Sequence, residues 1–192
     1  MGKIIVSTNA SLDGVVQDPE GKEGFALGGW FELAIRDDRA AWAAEFEKEA
    51  TAAEALLLGR TSDEWFASRW LGRTGTWADK LNTMPKYVVS GTLEHTAWSN
   101  GTVVTGDLPA EVARLKREID GEILVYASFQ LVHALIEHDL VDEVRIMVMP
   151  VAVGDGVRLF GPSGTIKPLR LIGTRTVGEG ILFVAYEVVR EA

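Results

Sequence analysis

The chain has 192 residues, 47% of them hydrophobic and 24% charged, which suits one soluble globular domain with a sizeable core. Its net charge of -9 at pH 7 argues against nucleic-acid and anionic-membrane surfaces, because both are polyanions. It has no cysteine, which removes disulfides, thiolate metal sites and a cysteine nucleophile and suits a reducing compartment.

The opening MGKIIVSTNASLDG turns polar too soon for a signal peptide or membrane span, so a cytoplasmic location is expected. Lys3 to Thr8, with β-branched Ile4, Ile5 and Val6, reads as the first strand. Turn signals at Asp13-Gly14, Asp18-Pro19-Glu20-Gly21 and Gly28-Gly29 then make residues 10–30 a long loop, the kind that often carries function. Trp30 and Phe31 close it, either packing the core edge or forming a stacking wall for a flat ligand; packing is the favoured reading. Asp37 to Ala53 reads as a helix, with an apolar stripe through Ala40, Trp42, Ala43, Phe46 and Ala50. Ala55 to Leu58 is the second strand. It runs into Gly59-Arg60-Thr61, where Thr61 to Glu64 has the spacing of a capping box that starts a helix carrying Trp65 and Phe66. Arg60 is suited either to a phosphate or to an ordinary surface ion pair.

Lys86 to Ser90 and Thr102 to Thr105 are short strands, and residues 109–119 form a helix with Val112, Leu115 and Ile119 inward. The organising stretch is Glu122 to Phe160. In it a strand (Ile123 to Tyr126) switches at Ala127-Ser128 into a helix running to about His138, with Ser128 as its cap. Asp142 to Met149 is the next strand, alternating Val144, Ile146 and Val148 with Arg145, Met147 and Met149. Pro150 ends it, and Gly154-Asp155-Gly156 makes a flexible loop. Arg170 to Val177 and Ile181 to Val189 form a hairpin around Gly178-Glu179-Gly180. Alternating β and α followed by a hairpin predicts a mostly parallel sheet with helices on both faces and antiparallel strands at the C-terminal end. A strand that turns directly into a helix leaves backbone N–H groups free for an anion.

The three histidines are badly spaced for a metal, and no metal site is expected. The chain has no Gly-x-Ser-x-Gly elbow, Walker loop or Gly-x-Gly-x-x-Gly turn, so nucleotide binding would use the two short strand–helix turns. Asp13 is the candidate acid. It either bonds a substrate from the loop or simply starts an Asp-Gly turn.

Taken in order, Ser-Leu-Asp-Gly (11–14), Leu-Gly-Arg-Thr (58–61), Lys-Tyr-Val-Val-Ser (86–90), Leu-Val-Asp-Glu (140–143) and Pro-Val-x-x-Gly-x-Gly-x-x-Leu-Phe (150–160) resemble the dihydrofolate-reductase-like superfamily. They are most similar to the branch of the RibD C-terminal reductase domain of riboflavin biosynthesis. The resemblance covers nearly the whole chain and implies a single α/β domain over residues 1–192, a three-layer α/β/α arrangement around a mostly parallel mixed sheet. It implies an NADPH-dependent oxidoreductase acting on a pyrimidine- or pterin-type heterocycle, most like 5-amino-6-(5-phosphoribosylamino)uracil. Dihydrofolate reduction, or nucleotide binding without turnover, are the alternatives.

By the same resemblance, Gly59, Arg60 and Thr61 would hold cofactor phosphates. Ser90 and Gly91 would lie by the adenosine, and Ala127, Ser128, Phe129, Gln130 and Leu131 would cradle the pyrophosphate. Thr8, Asn9 and Ala10 would line the nicotinamide. Asp13, Trp30, Phe66, Gly154 and Gly156 would meet the substrate, whose phosphate Arg36, Arg39, Arg69 and Arg73 are available to hold. Two departures stand out. Ala127 replaces a usual glycine and fits if its φ stays negative. The first helix shows no acid at Trp42-Ala43-Ala44, where dihydrofolate reductases place one. The resemblance also implies a homodimer through the strand at 142–149 and the C-terminal hairpin, with no nucleic-acid or membrane partner.

Overall fold

The computed structural model describes residues 1–161 and 166–190. Eight strands form one mixed sheet in the order β4-β3-β2-β5-β1-β6-β8-β7. The chain divides into two compact units, one made of Met1–Val6 and Phe46–Asp142 and the other of Ser7–Glu45 and Glu143–Ala192. Strand β1 (Lys3–Ser11) and helix α2 (Arg39–Ala52) each contribute to both.

In the first unit, β2 (Ala55–Gly59) pairs in parallel with β3 (Lys86–Val89) and with β5 (Glu122–Tyr126), and β3 pairs in parallel with β4 (Gly101–Val104). Ala55 to Leu58 and Ile123 to Tyr126 are buried at every position, the mark of strands covered on both faces. The covering helices are α3 (Arg60–Trp70), α4 (Thr76–Thr83), α5 (Leu108–Glu118) and α6 (Phe129–Glu137). Helix α5 starts where the Asp107 carboxylate accepts the Ala110 N–H at 3.0 Å, and it buries Val112 and Leu115. Helix α6 buries Leu131, Val132 and Leu135 on the predicted stripe.

In the second unit, β6 (Glu143–Met149) and β7 (Leu169–Val177) each pair antiparallel with β8 (Ile181–Val188), as the predicted hairpin requires. The hairpin turn is tied down by Asp38, whose carboxylate accepts the N–H groups of Glu179 at 2.8 Å and Gly180 at 2.9 Å. A short helix, α1 (Trp30–Ile35), buries Trp30, Phe31, Ala34 and Ile35. No helix among the described residues is long and apolar enough to cross a membrane.

Several expectations need correcting. Strand β1 continues past Thr8 to Ser11, because Asn9 accepts the Trp42 indole N–H at 2.8 Å and Ala10 and Ser11 are buried. The region read as loop up to residue 30 ends in α1, whose Gly29 start (φ 83) follows the predicted Gly-Gly turn. The capping box at Thr61 does not form. Helix α3 begins two residues earlier, straight off β2, with Gly59 rather than Thr61 at its N-cap and no capping side chain. On β6 the expected two-faced alternation gives way to burial on both sides, with Val144, Met147 and Met149 all inside.

Candidate functional site

The first unit brings the two predicted strand–helix turns together. Ser128 stands at the N-cap position of α6, but its hydroxyl caps nothing there. It accepts the Gly59 N–H at 3.0 Å, while the Ser128 N–H donates to the Ser62 hydroxyl, also at 3.0 Å. Each turn therefore supplies one hydroxyl and one amide to the other. The Gly59 and Ser128 amides, two of the predicted phosphate donors, are engaged in this lock. The amides of Arg60, Thr61 and Ser62 in α3, and of Phe129, Gln130 and Leu131 in α6, lie in first turns, where helix geometry provides no acceptor. Arg60 itself is exposed, with no hydrogen bond or ion pair among the described residues.

Ala127 and Ser128 have φ of 48° and 52°. The condition of negative φ at Ala127 is thus not met. Two successive non-glycine residues sit in the left-handed region, which disfavours each by about 1–2 kcal/mol. The crossed serine hydrogen bonds supply the compensation. The next residue on α3, Asp63, is fully buried, and its carboxylate accepts the Ala97 N–H at 2.9 Å, fixing the loop that starts at Ser90-Gly91. Ser90 turns that loop with its hydroxyl, which accepts the Leu93 N–H at 3.1 Å.

Burial raises the Asp63 carboxyl above its usual range, and its Oδ1 accepts no hydrogen bond among the described residues. Lys86, 1% exposed, stands in the same region. Its ammonium donates to the Met84 carbonyl at 2.7 Å, the Asn82 carbonyl at 3.2 Å and Asn100 Oδ1 at 3.4 Å, and lies 4.1 Å from the centre of the Trp98 ring. Burial pulls its pKa down to about 8, against the attraction of Asp63.

A run of aromatic rings crosses the same unit. Trp65 meets Phe66 at 4.8 Å, Phe66 stacks on Tyr126 at 5.9 Å, Tyr126 meets Phe46 at 5.7 Å, and Phe46 stacks on Trp77, which meets Trp70 at 4.6 Å. Phe66, a predicted substrate residue, is half-buried within this run. Arg69 lies over Trp65 and Arg73 over Trp70. The Tyr126 hydroxyl donates to Glu49 at 3.1 Å.

In the second unit, the Asp13 carboxylate accepts hydrogen bonds from the Ser11 hydroxyl at 2.7 Å, the Val153 N–H at 3.0 Å and the Gly154 N–H at 2.8 Å. The Ser11 hydroxyl and then the two amides hold it ionised, well below the usual carboxylate range. These bonds engage both carboxylate oxygens of Asp13, the candidate acid. It clamps the 11–14 turn, in which Gly14 N–H donates to Ser11, to the Gly154 loop. Gly154 and Gly156 have φ of 90° and 113°, and a Cβ at Gly156 would come within 2.9 Å of Phe25. Asp18 plays a similar part in the 18–29 loop. It is 2% exposed, and although burial opposes its charge, the amides of Glu23, Lys22, Phe25 and Gly21 lower its pKa.

Trp30 is 2% exposed and donates its indole N–H to the Gln17 carbonyl at 2.8 Å, the packing alternative of its two readings. Thr8 and Asn9 are half-buried and Ala10 is buried. Arg36 is exposed, Arg39 pairs with Glu32 at 2.5 Å, and Glu45 of α2 is engaged by Arg175. Ser62, Asp63 and Glu49 were not among the predicted site residues. Ser62 and Asp63 lay inside the apparent capping box, which offered a purely local explanation for them. Glu49 had the look of one more solvated acid on a helix.

Many solved structures share the fold. A protein of Shewanella sp. PV-4, classed under riboflavin biosynthesis, is similar with a TM-score of 0.75 and 22% identity, over 98% of this chain and 99% of that one. The Thermotoga maritima diaminohydroxyphosphoribosylaminopyrimidine deaminase/5-amino-6-(5-phosphoribosylamino)uracil reductase is similar with a TM-score of 0.64 and 13% identity, over 98% of this chain and 57% of that one. This chain thus spans little more than half of that protein. The dihydrofolate reductase of Enterococcus faecalis, solved with NADP(H), is similar with a TM-score of 0.59 and 14% identity, over 97% and 96% of the two chains. The family model described as the RibD C-terminal domain matches residues 2–183, and the chain belongs to the RibD C-terminal domain family.

Proposed function

We propose that this chain is an NADPH-dependent reductase of a small pyrimidine-type heterocycle, of the kind that reduces 5-amino-6-(5-phosphoribosylamino)uracil. One observation carries the reading. Two helix N-termini, cross-locked by Ser62 and Ser128, present free first-turn amides beside the unpaired Arg60. That donor set suits a diphosphate: the amides and helix dipoles meet the oxygens, and a guanidinium can bind bidentately. The reductase activity of the Thermotoga protein and the NADP(H) bound to the Enterococcus enzyme support the same reading.

NADPH would supply the hydride. The protein's own part is then to hold the cofactor and orient the substrate, which needs no nucleophile. Dihydrofolate fits less well, since it calls for a carboxylate ready to meet the pterin and Glu45 is taken by Arg175.

The test is NADPH binding at fixed moderate salt, read by calorimetry and by quenching of the six tryptophans, on wild type and Arg60→Ala. Micromolar binding that weakens about tenfold in the variant, a loss of about 1.4 kcal/mol, is expected. No binding at millimolar NADPH sinks the reductase reading. Binding without oxidation by any pyrimidine or pterin points instead to a nucleotide-binding protein.

A further inference from the structure

We infer that Ser62 is a positioning residue: it holds the β5–α6 turn in the backbone conformation that aims two sets of first-turn amides at one diphosphate. The inference rests on the cofactor reading just given and adds a residue that touches no cofactor.

Ser62 is 9% exposed, and its hydroxyl accepts the Ser128 N–H at 3.0 Å. The direction of that N–H is set by the torsions of Ala127 and Ser128, which are left-handed at 48° and 52°. Glycine would adopt this conformation freely, whereas alanine and serine need it to be held. Among the described residues, two side-chain bonds hold it: Ser62 accepts from Ser128, and Ser128 accepts from Gly59. The two bonds form a closed exchange between α3 and α6, so releasing one frees the turn to relax and carries the Phe129, Gln130 and Leu131 amides with it. Asp63, beside Ser62, fixes the Ala97 loop by the same means. The first turn of α3 therefore bears free amides at the helix end and anchors two neighbouring segments from its buried side.

The experiment measures inorganic pyrophosphate and NADPH binding by calorimetry, with thermal melts, on wild type, Ser62→Ala, Ser62→Thr and Ser62→Ala/Ala127→Gly. Ser62→Ala is expected to melt cooperatively and to bind both ligands about tenfold more weakly. Ser62→Thr, which keeps the hydroxyl, should restore affinity to within about twofold. The added glycine should recover about half of the loss on a logarithmic scale, since it accepts the left-handed backbone but does not restore the bond from Ser128 to Ser62. A purely structural role would move the melt without this pattern of rescue. Undiminished pyrophosphate binding in Ser62→Ala, or no rescue by Ser62→Thr, overturns the inference while leaving the cofactor reading standing. Failure of wild type to bind either ligand overturns both. If Ser62→Ala does not fold, the double variant is compared with Ala127→Gly alone. A threefold weakening supports the lock, and equal affinities overturn it.

Discussion

Replacing Lys86 by methionine removes a buried cation while keeping most of its stem. Two effects oppose each other. The ammonium makes two sound hydrogen bonds, to the carbonyls of Met84 and Asn82, and a long one to Asn100. Hydrogen bonds from a charged donor contribute about 1.5–3 kcal/mol each, so the two contribute about 3–6 kcal/mol. The Trp98 face adds about 2 kcal/mol in a desolvated setting. Against this, taking the ammonium out of water costs the folded state several kcal/mol, the same burial that draws its pKa down to about 8. The balance is a loss of about 3 kcal/mol on substitution, or a melting temperature lower by about 6–12 °C for a chain of this size. Removing the cation also leaves buried Asp63 without its attraction, which pushes in the same direction. The pH dependence gives a second check. Because the folded pKa lies below the unfolded one, the unfolded state binds more protons between about pH 8 and 10.5, and wild-type stability gains from this group as pH rises through that window. Lys86→Met lacks that gain. Urea unfolding at pH 7, 8.5 and 10 measures both effects. A variant as stable as wild type at pH 7 would refute the reasoning, because the cation would then contribute nothing net.

Asp13→Asn should give an acid limb that is flatter than wild type. The depressed carboxylate adds stability that is fully present above its unfolded pKa of about 4 and is lost as pH falls below it. Urea unfolding from pH 7 down to 2.5 should show the gap between the two proteins narrowing below about pH 4, and a gap constant to pH 2.5 contradicts the clamp. For assembly, the exposed Leu171, Ile172 and Leu182 on the C-terminal hairpin favour a homodimer. Light scattering at tens of micromolar should give a dimer mass that falls to monomer in Leu171→Lys/Ile172→Lys; a wild-type monomer refutes it.

Much of the fold was legible because its strands are short apolar runs bounded by glycine, proline or a cap. Ala55 to Leu58 and Ile123 to Tyr126 could hardly be anything but buried strands. The hairpin around Gly178-Glu179-Gly180 was equally plain from two glycines between strand-like runs, and the structure gives Gly178 a φ of 63° with Asp38 where a side chain would stand. What escaped notice depends on partners distant in sequence. Ser62 and Ser128 are 66 residues apart, and nothing local shows that one accepts the other's N–H. Asp13 looked like a turn residue or an acid; its real partners, Val153 and Gly154, lie about 140 residues away. Helix α1 is six residues long and begins after two glycines, too little for periodicity to register.

The way the chain visits its two compact units bears on how the gene can be cut. Neither unit is a continuous piece: residues 7–45 sit as an insertion in the sequence of the first, and the rest of the second follows only after residue 142. Truncation after Asp142 would leave the first unit whole but carrying half of the second with nothing to fold against. Deletion from the front would remove part of the first before any of the second is reached. Recombination between relatives that aims to exchange the second unit must therefore move two segments at once, 7–45 and 143 onward, because the Asp13 clamp and the Asp38 hold on the hairpin each have one end in either segment.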